Sequence, residues 1–249
     1  MTNKKFCIVG YGNHTKNKLI PLFEKNSIDL SIVTKKKLLK NKFKIYSNIK
    51  NAIANEEKNT SFIICSPPHV HTRQSELLIK SGYNVFIEKP ICTKVNDLKK
   101  ILNLVKSNKT FLVESMMFKY SIIYKKFINI FQKNKKNLSK VDIVFTIPRN
   151  PLNTFRKDNL NYNVNLYDIG CYPIALMNNI FSENKFKILK IKNVNSKNKQ
   201  TFFLKVKKKN IEIKIKFGVD KSYENKICLE LNNQKKYEFY PFFFGREGY

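Results

Sequence analysis

The stretch Phe6-Cys7-Ile8-Val9-Gly10-Tyr11-Gly12-Asn13-His14-Thr15 decides how this chain folds. Four apolar residues make a short buried strand, and the strand stops at a glycine. Apolar residues return at helical spacing from Asn17 to Phe23, with Pro21 a weak point in that helix. A chain that turns on glycine between strand and helix can bring its backbone close to a pyrophosphate. The helix start then offers N–H groups and the positive end of a dipole. Gly10 and Gly12 suit that turn, while Thr15 stands where a third glycine is usual.

Outward from the turn, strand and helix signals alternate. Leu30–Val33, Phe43–Tyr46, Thr60–Ser66, Asn84–Ile87 and Thr110–Val113 read as strands. Ile49–Glu57, Val70–Ser81 and Val95–Ser107 read as helices, the second ending at Gly82. Continuous apolar strands separated by amphipathic helices predict an α/β domain whose parallel sheet is covered on both faces. Beyond Met117 the pattern changes. Helices are expected over Tyr120–Asn134 and Leu166–Phe181, and a strand over Val141–Ile147. From Phe186 to Tyr240 several short strands alternate apolar residues with lysine. Such alternation marks an antiparallel sheet with one wet face. The expected division is residues 1–116, a dinucleotide-binding Rossmann domain, and residues 117–249, an α+β domain on an open, mainly antiparallel sheet.

Composition bounds the rest. No run approaches the ~20 apolar residues of a membrane helix, and Met1–Lys5 leads straight into a strand without a signal peptide. A cytoplasmic protein is expected. The five cysteines are scattered with no CxxC pair, which fits neither a disulfide framework nor a zinc site. His69-Val70-His71 could present two imidazoles, but no third ligand is in view, so no metal is expected. The formal charge of +30 is almost all lysine; Arg73, Arg149, Arg156 and Arg246 are the only arginines. Lysine spread over every segment reads as solvated faces that favour anionic ligands, and it disfavours a dedicated nucleic-acid surface, which would enrich arginine.

Three further motifs carry chemistry. The second strand ends in Val33-Thr34-Lys35-Lys36-Lys37, where a ribose-binding carboxylate would favour NAD. A hydroxyl and ammonium groups at Thr34 and Lys35 suit a 2′-phosphate, so NADP is expected over NAD. Glu88-Lys89-Pro90 leaves the fifth strand at its carboxyl end, aimed at the ligand crevice of such a sheet. A lysine there can donate to a substrate oxygen and stabilise charge developing on it. Asp168-Ile169-Gly170-Cys171-Tyr172-Pro173 is expected to open the helix of the second half, with Asp168 and Tyr172 on one helical face. A carboxylate and a phenol beside an ammonium form a plausible proton-transfer set, since an ammonium lowers a phenol pKa from its ordinary value of ~10. Read without other context, Asp168 is a helix cap and Tyr172 a packed aromatic.

In order along the chain, FCIVGYGNHT, SPPHVH, NVFIEKP, LVESMMFKY and LYDIGCYP resemble the landmarks of the glucose–fructose oxidoreductase/inositol dehydrogenase (Gfo/Idh/MocA) family. The resemblance implies a Rossmann domain followed by an open-sheet domain. It also implies NAD(P)-dependent hydride transfer at the carbinol carbon of a sugar, cyclitol or sugar nucleotide. Carried over by position, Lys89 is the family's EKP lysine, Asp168 its helix aspartate and Tyr172 its acid–base, where many members have histidine. Ser66, Pro67 and His71 match a cofactor-lining turn. Gly10, Tyr11, Gly12, Asn13 and His14 form the pyrophosphate turn, and Glu88 faces the cofactor. The expected cleft between the two halves brings Lys89, Tyr172 and the nicotinamide together. A homodimer or homotetramer through the C-terminal sheet is implied by the same analogy.

Departures from the family also bear on activity. Tyr172 in place of histidine resembles the dihydrodiol dehydrogenase and glucose–fructose oxidoreductase branch; Tyr162-Asn163-Val164-Asn165 stands where that branch is glycine-rich, and Lys119–Ile123 where relatives often carry Arg-x-His-Pro. The chain stops at Tyr249, where members usually continue with another strand and a closing helix. These departures motivate an alternative expectation, a catalytically inactive dinucleotide-binding relative that serves as a regulatory or scaffold subunit.

Overall fold

A computed structural model describes residues 4–37, 42–148, 164–181, 186–196 and 199–243. The chain divides into two compact units, Met1–Ser115 and Met116–Tyr249.

In the first unit, β1 (Lys5–Val9), β2 (Asp29–Val33), β3 (Lys44–Tyr46), β4 (Ser61–Ile64), β5 (Asn84–Ile87) and β6 (Leu112–Glu114) form one sheet in the order β3-β2-β1-β4-β5-β6. All its pairings are parallel. Helices α1 (Ile20–Lys25), α2 (Ile49–Asn55), α3 (His71–Lys80) and α4 (Val95–Ser107) make the crossovers. Both faces are covered, as the two-residue period of a strand requires. Cys7 and Val9 join Phe62, Ile64, Leu78 and Ile101 on one side, whereas Ile8 joins Ile20, Phe23 and Ile32 on the other. Strand order reverses between β1 and β4, so the carboxyl ends of these two strands border the crevice such sheets use for ligands.

The Asn17–Phe23 helix proves to be two windings. Thr15–Leu19 is a π-helical turn, closed by the Ile20 N–H on the Thr15 carbonyl, and α1 follows it. Pro21 thereby falls in the first turn of α1, where a missing N–H costs least.

The second unit contains α5 (Ile122–Asn134), β7 (Leu138–Ile147), α6 (Val164–Asp168), α7 (Cys171–Ile180), β8 (Lys187–Ser196), β9 (Lys199–Lys208), β10 (Ile211–Val219), β11 (Glu224–Leu231) and β12 (Lys236–Phe239). Its sheet runs β12-β11-β7-β10-β9-β8. Only the β7–β10 pairing is parallel. Val141, Ile143, Phe145, Ile213, Ile215, Phe217, Ile227 and Leu229 share a core with Phe127 and Phe131 of α5 and Tyr172 and Leu176 of α7. The fold class is thus the expected one, a Rossmann-type sheet followed by a mainly antiparallel sheet. Among the described residues, no helix is long and apolar enough to cross a membrane.

One expectation is corrected. The helix expected over Leu166–Phe181 is interrupted at Ile169-Gly170, so Asp168 ends α6 rather than opening α7, and Gly170 caps α7. Pro173 has no N–H to give the Ile169 carbonyl, which breaks the helical ladder there. Gly170 is held by close packing: a Cβ on it would lie 2.3 Å from the Leu166 carbonyl oxygen and 2.5 Å from the Phe217 ring.

Candidate functional site

The glycine turn is built against the next strand. Gly10 has φ +109°, a conformation that costs any L side chain, and its N–H donates to the Val33 carbonyl at 3.0 Å. A Cβ on Gly10 would also lie 3.0 Å from the backbone of Cys65 and Ser66. Gly12 differs, because a Cβ there would meet nothing within 4 Å. The space beside it is open to an approaching group. Thr15, in the third glycine position, is fully buried, and its hydroxyl donates to the Gly10 carbonyl at 2.9 Å. The threonine therefore closes the turn on itself. Lys16 N–H donates to the Gly12 carbonyl at 2.9 Å and starts the helix.

At the end of β2, the Thr34 hydroxyl accepts from the Lys36 N–H at 3.1 Å. The Lys36 ammonium reaches back to donate to the Tyr11 carbonyl at 3.3 Å. This contact joins the basic run to the glycine turn, with Lys35 exposed beside it.

The ends of β4 and β5 are tied together by one buried imidazole. His71 is fully buried, with Nε2 2.8 Å from the Ser66 carbonyl oxygen and Nδ1 2.8 Å from that of Pro90. Burial lowers its pKa from 6.5, against the opposing pull of the two carbonyls and of Glu88. His71 thus holds the turn rather than presenting its ring at the surface. It belongs with His69 to a 3-10 turn and helix start. Ser66 donates its hydroxyl to the Gln74 side chain. Glu88 N–H donates to the Ile64 carbonyl at 2.9 Å, and its carboxylate lies 3.3 Å from His14 Nε2. That contact is within ion-pair range but lacks hydrogen-bond geometry, so the buried Nε2 atom has no hydrogen-bond partner. The Cys65 thiol is pushed up to about 12 by burial, which keeps it protonated and unreactive.

In the second unit, Asp168 and Tyr172 are both buried, Tyr172 at 1% exposure. The Tyr172 ring lies 5.4, 5.8 and 6.0 Å from the rings of Phe145, Phe243 and Phe118. Residues 162 and 163 and the side chains of Val164 and Asn165, where the family's glycine-rich approach would fall, lie outside the described residues.

Within the first unit, the fold brings together Gly10, Ser66, His14 and Glu88, and it joins Tyr11 to the end of β2. Lys89 belongs to this unit, Asp168 and Tyr172 to the other. The sequence places Thr15 in the turn and Lys36 in the basic run without giving either its bonding partner, and it does not single out Gln74. Thr15 was legible only as a departure from glycine, and Lys36 was one of three adjacent lysines. Gln74 follows His71 by three residues, one helical turn, but nothing local marks it as a partner of Ser66.

Comparison with known proteins follows the same division. The sequence model of the Gfo/Idh/MocA group, described as an oxidoreductase family with an NAD-binding Rossmann fold, matches residues 4–115. No curated protein matches the chain. Among solved structures, KijD10, a 3-ketoreductase from Actinomadura kijaniata in complex with NADP and TDP-benzene, is similar with a TM-score of 0.78 at 14% identity, over 92% of this chain and 74% of that one. Myo-inositol 2-dehydrogenase from Lactobacillus plantarum is similar with a TM-score of 0.79 at 15% identity, over 96% of this chain and 76% of that one. At such identities the likeness establishes the shared fold.

Proposed function

We propose that this chain, whose residues 4–115 match the model of the Gfo/Idh/MocA oxidoreductase family with its NAD-binding Rossmann fold, moves a hydride between a nicotinamide dinucleotide and a sugar, cyclitol or sugar nucleotide. One observation carries the reading: the Gly10–Thr15 turn and the Glu88 carboxylate meet at the carboxyl ends of β1 and β5 through His14. The turn fits a pyrophosphate, because backbone approach is open at Gly12 and the helix start lies behind it. NADP in preference to NAD follows from Thr34, Lys35 and Lys36, which supply a hydroxyl and two ammonium groups where a carboxylate would be needed for the free ribose. KijD10, similar in fold, holds NADP and TDP-benzene, and this supports a sugar-nucleotide or related substrate.

When bound, the dinucleotide supplies the carbon that accepts or releases hydride. The protein's own residues do the rest. Tyr11, Gly12, Asn13 and His14 hold the phosphates, Ser66 and Pro67 line the turn beside them, and His71 fixes that turn from behind. Lys89 donates to the reacting oxygen, Tyr172 gives or takes its proton, and Asp168 orients Tyr172. A thermal-shift comparison of NADP, NAD and no ligand tests binding, since a ligand of the folded state must raise apparent stability. Turnover is read by absorbance of the reduced nicotinamide with panels of sugars and sugar nucleotides. Lys89→Met is expected to abolish most turnover while dinucleotide binding persists; unchanged turnover removes Lys89 from the mechanism.

The burial of Tyr172 among three phenylalanine rings favours a second reading, a dinucleotide-binding chain without turnover that serves as a regulatory or scaffold subunit. Binding of NADP with no turnover across the whole panel selects that reading.

A further inference from the structure

The backbone on both sides of Lys89 is tied down by groups from three other segments of the first unit. Before it, the Glu88 N–H donates to the Ile64 carbonyl of β4 at 2.9 Å. After it, the Pro90 carbonyl oxygen lies 2.8 Å from His71 Nδ1 of α3. Proline has no N–H to give, so Ile91 carries the next backbone donor. That donor goes to the Glu114 carboxylate of β6, at 3.0 Å from Oε1. Glu88 to Lys94 contains neither helix nor strand. These contacts therefore stand in for the ladder bonds that would hold a regular element.

Glu114 is the partner to which the oxidoreductase reading gives no task. It ends β6 in register with Ile87, the last residue of β5, and the next N–H, that of Ser115, donates to the Ile87 carbonyl at 2.8 Å. Residues in register share a face of the sheet. Ile87 is fully buried on the face that also carries Val9, Ile64 and Ile101. The two residues before Glu114 are Leu112 and Val113, and β6 is an edge strand. An apolar residue would close such a strand without electrostatic cost, whereas a carboxylate on the covered face is costly unless it is hydrogen-bonded. The bond it makes to Ile91 is charge-assisted, roughly twice as strong as one between neutral groups.

We propose that Glu114 is a positioning residue for Lys89: by holding the Ile91 N–H it sets how the chain leaves β5, and so where the ammonium group meets the reacting oxygen. The assignment rests on the oxidoreductase reading, in which Lys89 is the donor to that oxygen. Loss of the Glu114 bond leaves the Glu88 and Pro90 contacts in place. The loop then stays attached to β4 and α3, and the glycine turn that receives the dinucleotide is untouched.

The test compares Glu114→Ala with Glu114→Gln, whose amide oxygen accepts the same bond, and with Leu112→Ala, which weakens β6 without touching the loop. Lys89→Met is the reference. On the full chain, kcat and KM are read with the substrate that turns over fastest in the sugar and sugar-nucleotide panel. Emission of bound NADPH is read beside them, since it reports the surroundings of the nicotinamide ring and needs no turnover. Glu114→Ala should lower kcat about 10²-fold, the scale of a displacement of about 1 Å, with KM for NADP unchanged and emission moved towards that of Lys89→Met. Glu114→Gln should recover most of kcat and the wild-type emission. Glu114→Asp, one methylene short of the Ile91 N–H, should show a smaller loss in the same direction, and it serves if Glu114→Ala does not fold. Leu112→Ala should lower the melting temperature and leave both readouts in place.

Any of three results overturns this role: Glu114→Ala behaves as wild type where Lys89→Met does not, Glu114→Gln is as impaired as Glu114→Ala, or Leu112→Ala lowers kcat as far. If Lys89→Met changes neither turnover nor emission, the donor role of Lys89 has failed and that of Glu114 goes with it, so the two failures are told apart. In a chain without turnover, the emission comparison decides alone.

Discussion

Nδ1 of His71 lies 2.8 Å from the carbonyl oxygen of Pro90, so the exit of β5 is pinned to the start of α3 inside the first unit. The other ring nitrogen meets the Ser66 carbonyl. A neutral imidazole can donate to only one of these two acceptors, and burial is the larger influence in keeping the ring neutral.

This arrangement predicts a pH dependence of stability. The folded pKa of His71 lies below 6.5, so the unfolded chain binds the proton first as pH falls. The contribution is complete at neutral pH and is lost progressively below about 6.5. His71→Asn should cost about 1–3 kcal/mol at pH 7.5, because a buried carbonyl loses its donor. The wild-type urea midpoint should drop more between pH 7.5 and 5.5 than that of the variant. Equal drops would mean that His71 does not titrate in this way.

Gly10→Ala tests the glycine turn. The substitution forces a side chain into φ +109° and brings a Cβ to 3.0 Å from the Cys65–Ser66 backbone. A loss of about 1–3 kcal/mol is expected, together with loss of the thermal shift given by NADP. Retained NADP binding would show that the pyrophosphate does not use this turn.

Lys36→Ala separates the two dinucleotides. The ammonium stands on the Tyr11 carbonyl at 3.3 Å, beside the end of β2. Affinity for NADP should fall about tenfold, the scale of one charge-assisted contact, with NAD nearly unaffected, as read by titration calorimetry. Equal losses for both would reduce Lys36 to a support for the loop.

Phe145→Ala probes the second core. Phe145 is 1% exposed, on the β7 strand beneath Tyr172. Truncation should cost about 3–5 kcal/mol and lower the melting temperature by roughly 10–20 °C. A shift of only a degree or two would indicate that the aromatic cluster is loosely packed.

The fold was largely legible in sequence because its signals are local. The FCIV run, the glycine after it and the alternation of strand with helix all lie within short windows, and apolar spacing reports burial directly. The helix over Leu166–Phe181 was misread because apolar spacing continues through the break, while Pro173 and the crowding of Gly170 against Phe217 do not alter that spacing. The places of Gly10, Ser66 and Glu88 just past strand ends are legible for the same reason as the strands. Their hydrogen-bond partners are not. His71 matches a cofactor-lining turn in sequence, and only the fold shows that its partners are carbonyls five residues before it and nineteen after it.

Sequence alone determined that a glycine turn follows the first strand, that the first half is a parallel α/β sheet and that the second half has one wet sheet face. Tertiary structure alone decided that Thr15 closes the turn, that Lys36 reaches Tyr11 and that lysines distant in sequence stand side by side on β8, β9 and β10. The physical reason is the difference in range. Burial periodicity is written residue by residue, whereas hydrogen-bond partners and cross-strand neighbours are set by register between segments that meet only when the chain has folded.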